Sequence, residues 1–266
     1  MEKKKLLANY LSKSVSELVG NRKEVPISFS GGVDSFITAA LTKKYSVPIL
    51  YTIGNENSKD LIYSKIAAES LGCQLEVINL SDNDIVNGIE KTIEIIGKRN
   101  SLDVLIGSTF YLIAKRIQEN NFNVCLSGQG ADELFFGYDK YRRALVKGED
   151  PIQLRNKDVA ELKEILVRRE YKIFESFGIK FLSPFLDKEV KKIGMDLEIE
   201  VNLRDKNDDL RKHVLREIAA DLGAPPEIVN RKKKALQYGS GILEDIRRIS
   251  KKKGLASSLN AYLESI

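Results

Sequence analysis

The sequence is short of the residues on which many catalytic and metal sites depend. Among 266 residues there are two cysteines, Cys73 and Cys125, and a single histidine, His213. Zinc clusters of cysteine and histidine, and Cys-x-x-Cys redox pairs, are therefore excluded. Both cysteines stand in apolar, strand-like segments, which predicts buried free thiols. A Ser/His nucleophile pair could draw only on His213, and His213 reads instead as a solvated helix residue. No apolar run approaches the ~20 residues that span a bilayer. The basic start, Met1-Glu2-Lys3-Lys4-Lys5, leads into Leu6-Leu7-Ala8, too short an apolar core for a secretory signal. The expectation is a cytoplasmic protein with no membrane partner. There is no internal repeat and no low-complexity linker.

What is present suits a soluble globular fold with a substantial core, 42% hydrophobic and 30% charged. The net charge of +5 is uneven: residues 1–140 carry 16 basic and 17 acidic side chains, residues 141–266 carry 27 and 21. The basic excess includes Arg231-Lys232-Lys233-Lys234 and Lys251-Lys252-Lys253. Such runs are more often solvated helix faces or phosphate ligands than nucleic-acid sites, so a nucleic-acid partner is disfavoured.

The most informative stretch is Val25-Pro26-Ile27-Ser28-Phe29-Ser30-Gly31-Gly32-Val33-Asp34-Ser35. An apolar run stops at Ser-Gly-Gly, and a helical pattern follows through Phe36, Ile37, Ala39, Ala40 and Leu41: strand, tight turn, helix. Glycines without Cβ let the backbone approach a ligand, and the free N–H groups of the helix start favour an anion. Ser30 and Ser35 can add hydroxyl donors. Asp34 would repel a phosphate directly, but it can hold Mg²⁺ that bridges to one. No Gly-Lys-Ser/Thr follows, so this is not a Walker loop.

Along the chain, an amphipathic helix over 4–19 precedes that stretch. Strands are expected at 47–53, 74–80 and 122–126. A helix capped by Ser58 should run to Leu71 and close at Gly72; Ser81 should cap another containing Ile85, Val86, Ile89, Ile93 and Ile96; a third should cover 102–118. Alternating strands and helices imply an α/β doubly wound parallel sheet, with ligands at the carboxyl ends of its strands. After Tyr138 the strand signals fade, and 158–170, 187–197, 208–222 and 243–264 read as helices. The expected organisation is an α/β core over 1–140 and a mainly helical portion over 141–266 packed beside the sheet.

Two motifs carry a family resemblance. Ser30-Gly31-Gly32-Val33-Asp34-Ser35 resembles the SGGxDS pyrophosphate loop of the PP-loop ATP pyrophosphatases. Leu126-Ser127-Gly128-Gln129-Gly130-Ala131-Asp132-Glu133-Leu134-Phe135-Phe136-Gly137-Tyr138 resembles the SGxGxDExFxGY signature of the synthetase domain of asparagine synthetases. Asp34 and Asp132, carboxylates from separate loops, could clamp a Mg²⁺–triphosphate. The likeness extends to Ser183-Pro184-Phe185-Leu186-Asp187, to Lys212-His213-Val214-Leu215-Arg216, which is similar to a K-x-x-L-R helix, and to the basic loop from Arg231 to Gly241.

The resemblance implies the PP-loop adenine nucleotide hydrolase fold, with ATP and Mg²⁺ as cofactors. It implies ATP binding by Ser28, Ser30, Gly31, Gly32, Asp34, Ser35, Ser127 and Gly128, adenine contact by the backbone of Ile53, and metal binding by Asp34 and Asp132. It implies catalytic roles for Lys233, Asp132 and Gln129; Lys232 and Lys234 leave the lysine assignment open by one residue. The implied substrates are a carboxylate, by resemblance aspartate, and ammonia, either free or from a separate glutaminase subunit. A homo-oligomer is compatible with this.

Three departures stand out. Full-length members begin with a glutaminase domain whose cysteine follows Met1; here Glu2 does, and the synthetase-like signature starts within 30 residues, so the glutaminase is expected to be missing. Many members have Glu where Gln129 stands, which puts acid/base chemistry there in doubt. Phe136 replaces a usual glycine, a packing difference. Rival readings are a PP-loop ligase that amidates another metabolite or forms a lactam, an RNA-modifying PP-loop enzyme, and a non-enzymatic nucleotide-binding subunit.

Overall fold

The computed structural model describes residues 2–55, 58–97, 100–232, 241–252 and 263. The leading helix α1 (Glu2–Val19) buries Leu7, Leu11, Val15 and Val19, spaced three to four apart so that they share one face. There follow β1 (Glu24–Ser28), α2 (Val33–Thr42), β2 (Val47–Ile53), α3 (Lys59–Leu71), β3 (Gln74–Ile78) and α4 (Asp82–Ile96). The expected caps form. The Ser58 hydroxyl accepts from the Leu61 amide at 3.3 Å, and α3 closes on Gly72. Ser81 and Asp84 make a reciprocal capping box at the start of α4.

The chain then passes through α5 (Ser101–Glu119) to β4 (Val124–Leu126). All strands run parallel, in the order β3-β2-β1-β4-β5, with β5 at Lys180–Leu182. The first three strands step outward from β1, and β4 then returns to the other flank of β1, with Ile27 opposite Leu126. Neighbouring connections therefore diverge at the carboxyl ends of β1 and β4, which opens a crevice between them.

Side chains alternate across the sheet, as a two-residue period requires. Val25, Ile27, Leu50 and Leu126 join a core with α1, α2, α10 (Lys188–Asp196) and α11 (His213–Asp221). Ile49, Tyr51, Ile53 and Cys125 join the opposite core with α4, α5, α9 (Lys172–Glu175) and α13 (Ile242–Lys252). The remaining α-helices are α6 (Ala131–Leu134), α7 (Asp139–Lys147), α8 (Pro151–Leu166) and α12 (Pro226–Val229). This is the expected doubly wound α/β sheet with a mainly helical second half. Among the described residues, no helix is long and apolar enough to cross a membrane.

The second half differs from its sequence reading in several places, among them α7 and α12, which the reading did not include. β5 carries no strand signal, because three residues paired only to β4 suffice to extend the sheet. α8 starts at Pro151 rather than 158, with Asp150 capping it through the Ile152 amide. α11 starts at 213 rather than 208, because the Asp208 carboxylate takes the amides of Arg204, Leu210 and Arg211 and folds that segment into a loop. His213 is mostly buried against Asp208, Nε2 to Oδ2 2.8 Å, not solvated. Of the expected 243–264 helix, residues beyond 252 lie outside the described residues except 263.

Both cysteines are free. Cys125 is fully buried in β4, and burial pushes its thiol up to about 12. Cys73 lies half-buried at the turn into β3.

Candidate active site

The crevice at the β1/β4 divergence is a cleft of about 670 Å³ including its open mouth. It is lined by Ser28, Ser30, Asp34 and Ser35 from the first Ser-Gly loop, by Thr52 and Ile53 at the end of β2, and by Ser127, Gly128, Gln129 and Asp132 from the second. Phe29, Asp60, Thr109, Phe110 and Ile113 complete the wall. Asp60 belongs to the Ser58-Lys59-Asp60 helix start that, with Leu50–Gly54, resembles the family pattern, whereas Thr109, Phe110 and Ile113 carry no sequence motif. The two loops are far apart in the chain, and the sheet topology alone brings them together.

Gly31 and Gly32 stand behind this wall rather than on it. Gly31 has φ +66°, and a Cβ there would meet the α3 backbone at Tyr63 and Ser64 at 2.4 Å. Close packing of loop on helix demands this glycine, whether or not a ligand approaches. Gly32 is the N-cap of α2, and no side chain caps that helix start. Asp34 sits in the first turn of α2 and Asp132 in the first turn of α6, each where a helix N-terminus favours negative charge.

The two carboxylates converge on one cation. Lys212 Nζ lies 2.5 Å from Asp34 Oδ2 and 2.5 Å from Asp132 Oδ1, and only 4% of its side-chain surface is exposed. The sequence pattern puts Lys212 within the expected 208–222 helix, as the first residue of its K-x-x-L-R stretch, and assigns it no role. Its backbone explains its reach: Arg211 and Lys212 both adopt left-handed φ, +54° and +53°. Gly137 leaves the room. A Cβ at Gly137 would stand 2.0 Å from Asp132 Oδ1 and 2.1 Å from Lys212 Cε. Arg211 secures the same spot by donating from Nε to the Gly137 carbonyl at 3.0 Å.

A second buried cation holds the first loop from behind. The Arg231 guanidinium donates to the Ser30 carbonyl and to Asp60, and it stacks 4.4 Å above the Tyr63 ring. Lys232 turns to the surface and pairs with Asp209 at 2.9 Å. Lys233, the expected catalytic lysine, and Lys234 lie outside the described residues.

Gln129 is fixed by its main chain. Its amide donates to Ser127 Oγ at 3.4 Å, and its carbonyl accepts from Ser183 Oγ at 2.6 Å. The Ser127 amide donates to the Leu182 carbonyl at 2.9 Å. The Ser183-Pro184-Phe185 stretch thus acts as a brace for the second loop. Ser35 Oγ donates to the Gly32 carbonyl at 3.0 Å, so that hydroxyl hydrogen serves the turn itself.

Glu133, next to Asp132, is buried and accepts from Tyr138 at 2.8 Å. Burial and the neighbouring Asp132 charge push its carboxyl above the usual range. Phe136, in the place of the usual glycine, has φ +55°. Its buried ring packs edge-on against Tyr141 at 5.4 Å and under the Arg155 guanidinium at 5.1 Å.

Chemically, the cleft offers two carboxylates already facing a shared positive charge. Asp34 Oδ1 is buried with no hydrogen-bond partner among the described residues. That arrangement fits a divalent cation. No group of three or more His, Cys, Asp or Glu among the described residues could hold a metal alone. Asp34 and Asp132 are the residues that would hold Mg²⁺, which takes one or two carboxylates and completes its shell with phosphate and water.

The comparisons with known proteins agree with the motifs. The family model described as asparagine synthase matches residues 6–172 and 157–256. The putative glutamine-hydrolyzing asparagine synthetase 1 of Methanocaldococcus jannaschii is 32% identical over 297 residues, covering 100% of this chain and 55% of that protein. The glutamine-hydrolyzing asparagine synthetase B of Escherichia coli K12 is 27% identical over 236 residues, covering 81% of this chain and 41% of that one. The chain thus spans about half the length of these relatives. Among solved structures, the NH3-dependent NAD synthetase of Campylobacter jejuni aligns over 99% of this chain and 91% of its own, at 12% identity and a TM-score of 0.41. With the family model covering most of its length, the chain belongs to the asparagine synthase family.

Proposed function

We propose that the protein is an ATP-dependent amide ligase that adenylates a carboxylate, aspartate in the first instance, and transfers the acyl group to ammonia. The observation that carries this reading is the convergence of Asp34 and Asp132 on one cation, in a cleft lined by both Ser-Gly loops. A nucleotide triphosphate laid across these loops would meet the N-terminus of α2. Asp34 and Asp132 would hold Mg²⁺, which when bound neutralises phosphate charge as pyrophosphate departs.

The chain's own groups divide the remaining work. Lys212 supplies a fixed positive charge beside the two carboxylates, and in the nucleotide complex its ammonium is free to pair with a phosphate oxygen. Arg231 keeps the Ser30 peptide in place. The substrate carboxylate oxygen attacks the α-phosphorus, the bond to the β-phosphate bridge breaks, and pyrophosphate leaves. Ammonia then attacks the acyl carbon, the C–O bond to AMP breaks, and one proton is released. Gln129 lines the cleft and can hydrogen-bond to the acyl-adenylate but cannot accept that proton, so the proton passes to another acceptor. The nitrogen comes from free ammonia or from a glutaminase on another chain segment or subunit.

The test is direct. Purified protein is mixed with ATP, Mg²⁺, aspartate and ammonium, and AMP, pyrophosphate and asparagine are measured together. Equal amounts of the three products are expected. AMP release that responds to no carboxylic acid would end the ligase reading; release that follows a different acid would move it to another amide product.

A further inference from the structure

Four backbone carbonyls converge on Arg216, one helical turn after Lys212. Its Nε donates to the Arg211 carbonyl at 2.6 Å, and its Nη2 donates to Leu210 at 2.5 Å and to Arg231 at 3.0 Å. Its Nη1 donates to the Val229 carbonyl. The side chain is buried, and none of these partners is a carboxylate. Burial pulls its pKa down to about 10, which still leaves it charged at neutral pH.

The four carbonyls belong to two segments that both serve the cleft. Leu210 precedes and Arg211 opens the left-handed pair that carries Lys212 to Asp34 and Asp132. Val229 and Arg231 end the segment whose guanidinium grips Ser30 and Asp60. Left-handed non-glycine residues cost about 1–2 kcal/mol each, so the pair at 211–212 must be held from outside. Arg216 is placed to hold it, and at the same time it ties it to Arg231.

We propose that Arg216 is a positioning residue that sets Lys212 and Arg231 in register on opposite sides of the first Ser-Gly loop. It touches no substrate, and it acts on the nucleotide phosphates through those two cations. The proposal rests on the ATP-ligase reading. Only a planar fork can reach two carbonyls on each of two segments; a lysine presents its donors at one point and cannot span them.

The test compares wild type, Arg216→Lys and Arg216→Ala, with and without Lys212→Met, by titrating a non-hydrolysable ATP analogue with Mg²⁺ and by steady-state AMP formation. Arg216→Lys should weaken analogue binding and raise the KM for ATP by about tenfold or more, while the KM for the carboxylate stays within about twofold. In the Lys212→Met background the same change should add less than it does alone. Low-millimolar guanidinium should restore part of the analogue affinity of Arg216→Ala, which a general folding defect would not allow. Wild-type ATP parameters in Arg216→Lys, or losses that multiply fully with those of Lys212→Met, would overturn the proposal. If wild-type protein itself fails to bind the analogue, the ATP-ligase reading falls instead, and the two failures are distinguishable.

Discussion

The acidic and the basic walls of the cleft are built by opposite means. Asp34 and Asp132 each sit in the first turn of a helix that follows a central strand, so regular structure places them. Lys212, Arg216 and Arg231 come from the second half, from helix ends and loops, and are placed by side chains binding main-chain carbonyls. The acidic wall relies on small residues and parallel strands. The basic wall relies on buried guanidinium groups and on backbone strain at Arg211 and Lys212. A sheet can bring two loops together, but it cannot carry a lysine across the cleft between them. That task needs a segment free of the sheet, and such a segment must be fastened by specific bonds.

The sharpest way to break this comparison is to remove the ammonium that pairs with both carboxylates. Lys212→Met should leave two buried carboxylates facing each other, at a stability loss of about 3–5 kcal/mol. AMP formation should fall by on the order of a hundredfold or more. Thermal melts should show that Mg²⁺ without nucleotide stabilises this variant and leaves the wild type unchanged. If Mg²⁺ stabilises both equally, Lys212 does not occupy the metal position in the free protein.

Gly137→Ala comes next. Its methyl would stand on both Asp132 and Lys212 Cε, so side chains or backbone must shift. A stability loss of about 3 kcal/mol is expected from overpacking, with a fall in AMP formation because the lysine no longer reaches both carboxylates. Urea unfolding measures the first and a pyrophosphate assay the second. A variant with lowered stability and full activity would show that Lys212 need not touch both.

The acidic wall was the part written in the sequence. Ser30–Ser35 and Ser127–Asp132 are local patterns: a strand end, small residues, then an acid at a helix start, all within a few positions. The helix caps at Ser58 and Ser81 were legible for the same reason. The basic wall was not, because its bonds join distant positions: Lys212 and Asp34 are 178 residues apart. Periodicity also misread the start of α11, where one carboxylate, Asp208, diverts three amides from the helix. The edge strand β5 was missed because its three residues are a strand only by virtue of β4. The K-x-x-L-R stretch did point at Lys212 and Arg216, but as a helix rather than as a pin.

Phe136 tests whether strain belongs only to the basic wall. It is left-handed on the acidic side, where the family usually has glycine, and its ring fills a small core with Tyr141 and Leu203. Phe136→Gly should relieve about 1–2 kcal/mol of backbone strain and lose about 3–5 kcal/mol of ring burial. The net, about 2 kcal/mol of destabilisation by urea unfolding, should leave the ATP KM near the wild-type value. A more stable variant would mean that the backbone, not the ring, dominates at this position.

Glu133 gives the smallest effect and the finest test of how the acidic wall tolerates charge. Its carboxyl is buried next to Asp132, and both circumstances raise its pKa in the folded protein. A carboxyl with a raised folded pKa favours folding at low pH, and that contribution is lost as pH rises from the unfolded value near 4.5 through the folded one. At neutral pH its ionised form is therefore a burden on the fold. Glu133→Gln keeps an acceptor for the Tyr138 hydroxyl and removes the titration. The variant should match the wild type near pH 4 and gain on it steadily toward pH 8, when stability is followed by denaturant midpoint across that range. A difference independent of pH would mean that the Glu133 carboxyl titrates alike in the folded and unfolded protein. A difference that shrinks with pH would mean that Lys212 outweighs Asp132 and burial at this site.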